Sequence, residues 1–265
     1  MQALKDRIQA EGEYLGNGIL KVDGFVNHQV DTHLMDEAGK EFAKLFADIG
    51  ATKILTAEIS GIAPAVMAGK YMDLPVVYAR KRKPVTMPDQ VFLTLAPSHT
   101  KGRTVELIVS PEYLSGGEKV LIIDDFLASG ATILGLVRLA ELAGAEIVGV
   151  GTLIEKGYSK GRAELEKHGF PVKSLACLKS IDYDDITKNW IVDFINDISY
   201  KLEDIKFADD FDADFYDISH EQADNYASIY NYDLHKNALH FKDYTDQAQE
   251  EFGSEETDII KIYQL

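Results

Sequence analysis

Apolar residues along the first two thirds of the chain follow two different periodicities. Short unbroken runs of Val, Ile and Leu predict buried parallel strands, and longer segments with apolar residues three and four positions apart predict helices. Strands are expected at residues 53–57, 75–79, 104–109, 120–123 and 147–154. Helices are expected at residues 4–11, 31–49, 63–71, 133–143 and 160–168. Several of these helices are followed by glycine, as at Gly50 and Gly144, which suits the left-handed turn that ends a helix.

This alternation of strands and helices is typical of an α/β fold with a central, mostly parallel sheet flanked by helices. Sheets of this kind bind ligands beyond the carboxyl ends of their strands. Four segments with polar or charged side chains fall at such ends, namely residues 58–61, 80–83, 124–132 and 155–156. The sequence therefore predicts one ligand site along one edge of the sheet.

The strand predicted at residues 120–123 is followed by a motif that suits a phosphorylated sugar. Asp124 and Asp125 can accept hydrogen bonds from ribose hydroxyls, directly or through the water shell of a metal ion, although either acid alone could instead cap the turn. The loop that follows is built from small or hydroxylated residues: Ala128, Ser129, Gly130, Ala131 and Thr132. Since a helix begins next, backbone N–H groups and the helix dipole favour a phosphate there. The spacing does not match the P-loop of nucleoside triphosphatases.

Two further segments could contact a second anionic group. Ser60 and Gly61 precede a predicted helix and resemble an anion-binding turn, with a plain turn capped by Ser60 as the alternative. Residues 80–83, Arg-Lys-Arg-Lys, are the densest positive cluster of the chain and precede a stretch punctuated by Pro and Gly at residues 84–103. This cluster indicates the base of a loop that closes over an anionic ligand, with Lys81 as the preferred contact. A solvated surface is the alternative.

The motif at residues 120–132 resembles the 5-phosphoribosyl-1-pyrophosphate (PRPP) motif of the type I phosphoribosyltransferases. Four more segments resemble the bacterial xanthine phosphoribosyltransferases of that family: residues 1–36, 56–67, 76–83 and 153–157. The likeness keeps the same order along the chain and extends from residue 1 to about residue 190. It implies the type I phosphoribosyltransferase fold with a small hood.

The same resemblance implies a role for each part of the predicted site. Asp124 and Asp125 would be catalytic, and residues 128–132 would bind PRPP. Ser60, Gly61 and Lys81 would bind pyrophosphate. Xanthine would be held by Leu20, Asn27 and Lys156. A Lys156 ammonium can donate to a 6-oxo group but not to the 6-amino donor of adenine, so an oxopurine is expected.

The reaction implied by the resemblance transfers 5-phosphoribose from PRPP to N9 of xanthine, giving xanthosine 5′-monophosphate and pyrophosphate in purine salvage. Mg²⁺ would arrive with PRPP, no metal site made of protein ligands alone is expected, and a homodimer is implied. Hypoxanthine or guanine remains an alternative substrate. A PRPP-sensing regulator on the same fold is a second alternative, although neither end of the chain offers the basic helix-turn-helix that such a regulator needs.

Charge divides the chain into two parts. Residues 1–181 carry 22 acidic and 21 basic side chains, whereas residues 182–265 carry 22 acidic and 6 basic side chains, and the whole chain has a net charge of −17. We expect a phosphoribosyltransferase domain at residues 1–190 and an acidic, aromatic-rich extension of unknown role at residues 191–265. The acidic balance argues against binding to nucleic acid.

The remaining composition indicates a cytoplasmic protein. Cys177 is the sole cysteine, so an internal disulfide is impossible and a reducing compartment is the natural setting. The sequence has no apolar run near the roughly 18 residues that a membrane span needs. The N-terminus is charged from Lys5 onward and lacks the apolar core of a signal peptide.

Overall fold

The computed structural model describes residues 1–16, 18–98, 103–184 and 189–195. In chain order, the strands are β1 (Glu13–Tyr14), β2 (Leu20–Lys21), β3 (Lys53–Ala57), β4 (Val76–Ala79), β5 (Phe92–Ser98), β6 (Arg103–Val109), β7 (Lys119–Leu127), β8 (Glu146–Lys156), β9 (Val172–Asp184) and β10 (Asn189–Ile195). The helices are α1 (Gln2–Glu11), α2 (Thr32–Leu45), α3 (Ile62–Met72), α4 (Ala131–Leu142) and α5 (Gly161–Glu166), and a π-helical turn covers Asp23–Asn27.

Six strands form the central sheet in the order β10-β9-β8-β7-β3-β4. Neighbouring strands from β9 to β4 pair in parallel, and β10 pairs antiparallel with β9 at one edge. The predicted α/β fold with a mostly parallel sheet is therefore confirmed. β7 and β3 lie inside the sheet, so the segments that follow them reach the middle of its carboxyl edge.

The apolar residues of β7 contribute to the core on both faces of the sheet. Leu121 and Ile123 belong to a core cluster that includes side chains of α1, α2 and α3. Val120 and Ile122 belong to a second cluster that includes side chains of α4 and β6. Alternate residues of a strand point to opposite faces, and an unbroken apolar run is what a strand covered on both faces requires.

Two hairpins lie outside the central sheet. β1 pairs with β2, and β5 pairs with β6, both antiparallel. Arg138 of α4 holds the second hairpin, because its Nε donates to Thr94 Oγ1 at 3.1 Å and its Nη2 donates to Leu95 O at 2.8 Å. Of this hairpin, only the region of β6 was predicted from the sequence.

The limits of two predicted elements around the acidic pair were wrong. β7 continues to Leu127 instead of ending at residue 123, because its pairing with β8 extends to the partners Leu127 and Glu155. α4 begins at Ala131, two residues earlier than expected. Both carboxylates thus lie inside a strand, and the loop before the helix is only three residues long.

The acidic extension lies almost wholly outside the described residues. β10 continues the described structure to Ile195, past the expected domain boundary at residue 190, and residues 196–265 are not described. The division at residue 190 stays a prediction. Within the described ranges, no helix is both long and apolar enough to cross a membrane.

Candidate active site

The four predicted segments meet at one edge of the sheet. They follow or end β3, β4, β7 and β8, which are consecutive neighbours in the sheet and run in parallel. Because the carboxyl ends of parallel strands share one edge, segments distant in sequence become neighbours there. The structure thus brings the four segments to one edge, and their use as a single ligand site stays a prediction.

The two adjacent acids differ in exposure. Asp124 pairs with Thr152 of β8 and is only 4% exposed, whereas Asp125 is half-buried. The backbone N–H of Asp125 donates to Asp124 Oδ1 at 3.0 Å. Burial raises the pKa of the Asp124 carboxyl well above its usual range, the charge of Asp125 raises it further, and the charge of Lys81 acts in the opposite direction. Asp124 is therefore largely enclosed, and Asp125 is the more accessible of the two acids.

The turn before α3 packs directly onto Asp124. Gly61 is the N-cap residue of α3, and a Cβ placed on it would lie 2.4 Å from Asp124 Oδ1 and 2.3 Å from Thr56 Oγ1. A side chain at residue 61 would therefore displace the carboxylate. Ser60 is half-buried in the same turn. The first turn of a helix leaves amide N–H groups without helical acceptors, so this turn can face an anion beside Asp124.

Thr56 is a polar residue of this site that sequence reasoning missed. Its side chain is fully buried in β3, and its Oγ1 has no hydrogen-bond partner within the described part of the chain. An orphaned buried hydroxyl is rare, because leaving it unpaired costs free energy. The available signal was a hydroxyl among the apolar residues 54–57 of the strand, four residues before Ser60 in the sequence.

Glu58 joins the ends of β3 and β4 and fixes the backbone of Lys81. Its Oε1 accepts a hydrogen bond from the Lys81 backbone N–H at 2.6 Å, and its Oε2 forms an ion pair with Arg80 Nε at 2.9 Å. Arg80 also exchanges two backbone hydrogen bonds with Ile108 of β6, of 2.8 and 2.9 Å. The Lys81 side chain is exposed, and its charge reaches Asp124. The backbone of residues 80–81 is thus anchored, while the Lys81 ammonium is exposed and able to contact a ligand.

The short loop between β7 and α4 has the form of an anion-binding turn. Gly130 has a φ of +80°, a conformation that glycine adopts without strain, and it serves as the N-cap of α4. Ser129 Oγ accepts a hydrogen bond from the Ala131 N–H at 3.3 Å. Ala131 and Thr132 form the first turn of α4 and are half-buried. The positive end of the helix dipole is therefore directed at this loop.

Lys156 lies at the end of β8, next to the β1–β2 hairpin. Its Nζ donates to Gly18 O at 2.5 Å and lies 5.8 Å from the centroid of the Phe126 ring. Burial lowers the pKa of the Lys156 ammonium. Leu20, two residues after Gly18, is 6% exposed, and Asn27 is exposed at the end of the π-helical turn. The hairpin thus brings Leu20 into the region of Lys156, and Phe126 is a nearby aromatic ring that sequence reasoning did not select.

No cluster of three or more His, Cys, Asp or Glu residues suited to a metal ion occurs within the described ranges. Asp124 and Asp125 nevertheless supply carboxylate oxygens, which are the ligands that Mg²⁺ prefers. Their mutual repulsion, seen in the raised pKa of Asp124, would be relieved by a cation. The pair therefore fits an ion whose other ligands come from substrate oxygens and water.

Comparison with known proteins agrees with this geometry. A model of the phosphoribosyl transferase domain matches residues 32–194. A xanthine phosphoribosyltransferase from Listeria innocua serovar 6a is 48% identical over 186 residues, which are 70% of this chain and 97% of that protein. One from Oceanobacillus iheyensis is 49% identical over 181 residues, which are 68% of this chain and 93% of that protein.

Among solved structures, an adenine phosphoribosyltransferase from Rhodothermus marinus has a TM-score of 0.54 and 27% identity, covering 67% of this chain and 99% of that chain. An enzyme of the same name from Giardia lamblia, complexed with 9-deazaadenine, has a TM-score of 0.55 and 21% identity, covering 66% of this chain and 97% of that chain. The latter likeness concerns the fold alone. Taken with the sequence matches, these findings show that the chain belongs to the phosphoribosyltransferase family, among its bacterial xanthine phosphoribosyltransferases.

Proposed function

We propose that this pentosyltransferase uses the carboxyl edge of its sheet to transfer 5-phosphoribose from PRPP to N9 of xanthine. The observation that carries the proposal is the meeting of three anion-compatible elements at Asp124. They are the turn at Gly61, which packs on the carboxylate, the charge of Lys81, which acts on it, and the loop that follows β7. PRPP carries a 5-phosphate and a pyrophosphate on either side of its ribose hydroxyls, so it needs anion-binding elements on both sides of a hydroxyl acceptor.

Asp124 and Asp125 are proposed to act on the ribose. The hydroxyl groups of the sugar donate to their carboxylates, and departure of pyrophosphate leaves positive charge near C1 that the same carboxylates stabilise. Because burial favours the protonated form of Asp124, a neighbouring cation such as Lys81 would be needed to keep this carboxylate charged while it acts on the sugar. The half-buried Asp125 is the more accessible hydrogen-bond acceptor.

The anionic groups of PRPP are assigned to the two helix N-termini and to Lys81. Residues 128–132 would hold the 5-phosphate, since Gly130 turns the backbone and α4 directs its positive end there. Ser60 and Gly61 would hold the pyrophosphate at the start of α3, with Lys81 offsetting its charge. Mg²⁺ bound with PRPP would contact Asp124 and Asp125 and supply charge neutralisation of the leaving group.

The base is assigned to the opposite side of the site, near the β1–β2 hairpin. Lys156 Nζ already donates to a carbonyl oxygen, Gly18 O, and a 6-oxo group of the base is the same type of acceptor. Leu20 supplies an apolar wall, and the exposed Asn27 can donate to and accept from the edge of a dioxopurine. Xanthine is favoured over adenine because an ammonium cannot accept from an amino group.

A homodimer in the cytoplasm is proposed as the working form. Three of the exposed large apolar side chains lie on the β3–α3 turn, α3 and edge strand β4: Ile59 is 74%, Val66 47% and Tyr78 40% exposed. Apolar surface next to an unpaired sheet edge supports association with a second copy. Size-exclusion chromatography with light scattering distinguishes a dimer from a monomer.

The decisive experiment measures pyrophosphate release by the purified full-length protein with PRPP, Mg²⁺ and each purine base in turn. We expect xanthine to give the highest kcat/KM. Preference for hypoxanthine or guanine would change the assigned substrate, and absence of release with every base would favour a PRPP sensor. Asp125→Asn should abolish transfer without loss of folding. Glu146→Gln, at the far end of β8, is the matched control and should leave the rate unchanged.

A further inference from the structure

A buried ion pair lies beside the loop that is proposed to hold the phosphate. The Glu155 carboxylate is 1% exposed and accepts from Arg162 at both oxygens, with Nε–Oε1 at 2.6 Å and Nη2–Oε2 at 2.5 Å. Ser174 Oγ donates to the same Oε2 at 2.5 Å and lies 2.9 Å from Thr152 Oγ1. A two-point contact between guanidinium and carboxylate fixes orientation as well as distance.

This ion pair ties the start of α5 to the sheet. Arg162 is the second residue of α5, and its Nη1 also donates to Val172 O at 3.1 Å, where β9 begins. Glu155 and Ser174 belong to β8 and β9. A helix of only six residues has little stability of its own, so tertiary contacts decide its position. The Arg162 side chain supplies such contacts to both strands.

Gly161, the residue before Arg162, contacts the phosphate loop through backbone atoms alone. Its N–H donates to Ala128 O at 3.0 Å. A Cβ on Gly161 would lie 2.1 Å from that oxygen, and a Cβ on Gly130 would lie 3.3 Å from Gly161 Cα. Since no side chain separates the two backbones, a shift of the start of α5 must move the loop.

We infer that Glu155, Arg162 and Ser174 are positioning residues for the phosphate loop, and that this buried network sets the affinity for the 5-phosphate of PRPP. The inference rests on the proposed function, because it assumes that residues 128–132 hold that phosphate. Glu155 directly precedes Lys156, which contacts Gly18 instead of α5. The end of β8 thus supports the phosphate site through one residue and the base site through the next.

Removing one partner is more disruptive than removing an ordinary surface charge. A buried carboxylate that loses its guanidinium also loses its neutralising charge, so it must take up a proton, or the surrounding structure must rearrange or admit water. In Arg162→Met, the start of α5 also loses its contact with Val172. We expect the rearrangement to be transmitted through Gly161 to Ala128, which disturbs the phosphate loop before it disturbs the β1–β2 hairpin.

The test is calorimetric titration of the full-length protein with PRPP and Mg²⁺ in the absence of base, together with KM for xanthine at saturating PRPP. Arg162→Met is expected to weaken PRPP binding about 10- to 100-fold. KM for xanthine should change by less than about threefold, which a general loss of structure would not produce. Arg162→Lys, which keeps the positive charge but has a single donor nitrogen, should give an intermediate PRPP affinity.

Two further variants keep the inference falsifiable. Gly161→Ala leaves the ion pair intact but drives a Cβ into Ala128 O, so it should also weaken PRPP binding. Lys167→Met is the control, because Lys167 forms an exposed ion pair with Glu164 of the same segment, at 2.6 Å, and the substitution should change the affinity by less than about twofold.

Normal PRPP affinity in folded Arg162→Met, or equal losses for PRPP and xanthine, would overturn the inference. If Arg162→Met does not fold, normal affinity in Gly161→Ala overturns it instead. These results leave the proposed function standing, whereas a wild-type protein that binds no PRPP would remove the proposed function and the inference together.

Discussion

Replacing Gly61 with alanine tests how tightly the turn before α3 is fitted to the acidic pair. Gly61 has a φ of −67° and a ψ of −18°, which any residue adopts, so the effect of alanine comes from its Cβ alone. That Cβ would lie 2.4 Å from Asp124 Oδ1 and 2.3 Å from Thr56 Oγ1. Because a carbon and an oxygen approach no closer than about 3.3 Å, one partner must move by roughly 1 Å.

Two opposing effects decide the stability of Gly61→Ala. Overpacking costs about 1–3 kcal/mol, and the loss of backbone freedom in the unfolded chain returns about 0.4–1 kcal/mol. We therefore expect a decrease of about 1 kcal/mol in the free energy of unfolding, and at most about 2.6 kcal/mol. Misplacing a reacting group by 1 Å costs roughly 100-fold, so kcat/KM for PRPP should fall by about that factor, or about 2.7 kcal/mol.

Pyrophosphate release measures the activity of Gly61→Ala, and urea unfolding followed by circular dichroism measures its stability. Gly116→Ala is the matched control, because the nearest atoms to its Cβ, Ala143 O and Gly144 O, lie at an ordinary 3.6 Å. It should retain full activity and stability. A Gly61→Ala protein that is as active as the wild type would show that Asp124 needs no fixed position, and the proposed role of the turn would be refuted.

Three other substitutions have defined outcomes. Burial raises the folded-state pKa of Asp124 above its ordinary 3.8, so the free energy of unfolding of the wild type falls as pH rises from that value through the folded pKa. The free energy of unfolding of Asp124→Asn, measured in urea, should therefore increase relative to that of the wild type as pH rises above 3.8, and a constant difference would contradict this. Lys156→Met removes a charged hydrogen-bond donor, and such a hydrogen bond is worth about 1.5–3 kcal/mol. Steady-state kinetics should therefore show KM for xanthine raised at least about tenfold, with PRPP binding nearly unchanged. Equal losses of affinity for xanthine and for PRPP would count against the assignment of Lys156 to the base. Gly130→Ala must hold a φ of +80°, which costs about 1–2 kcal/mol, and unaltered urea unfolding would show that the loop adopts another conformation.

The segment at residues 120–132 shows how much of the structure can be predicted from local sequence. The apolar run at residues 120–123, two acids and five small residues predicted a strand, a turn and a helix, because each of these depends on neighbours in the chain. The strand and helix limits were wrong by a few residues at this point, since Asp124 is polar yet pairs with Thr152, and the pairing of β7 with β8 continues to Leu127. Strand length is set by the partner strand, which local periodicity does not reveal.

The proposed base site, in contrast, cannot be predicted from local sequence. Leu20, Asn27 and Lys156 were selected through resemblance, because no spacing connects the start of the chain with the end of β8. The contact between Lys156 and Gly18 arises only after the β1–β2 hairpin has packed near the sheet. For the same reason, neither Phe126 nor Thr56 was selected.

By itself, the sequence determined the order of the apolar segments, the acidic pair and the small-residue loop, and hence the α/β class and the kind of ligand to expect. These properties are local, since periodicity and turn chemistry act over a few residues. Only the tertiary structure decided that Asp124 is buried beneath the Gly61 turn and that Glu155 pairs with Arg162 next to the loop. Burial and pairing depend on which distant segments share a sheet edge, and strand order settles that after the chain has folded.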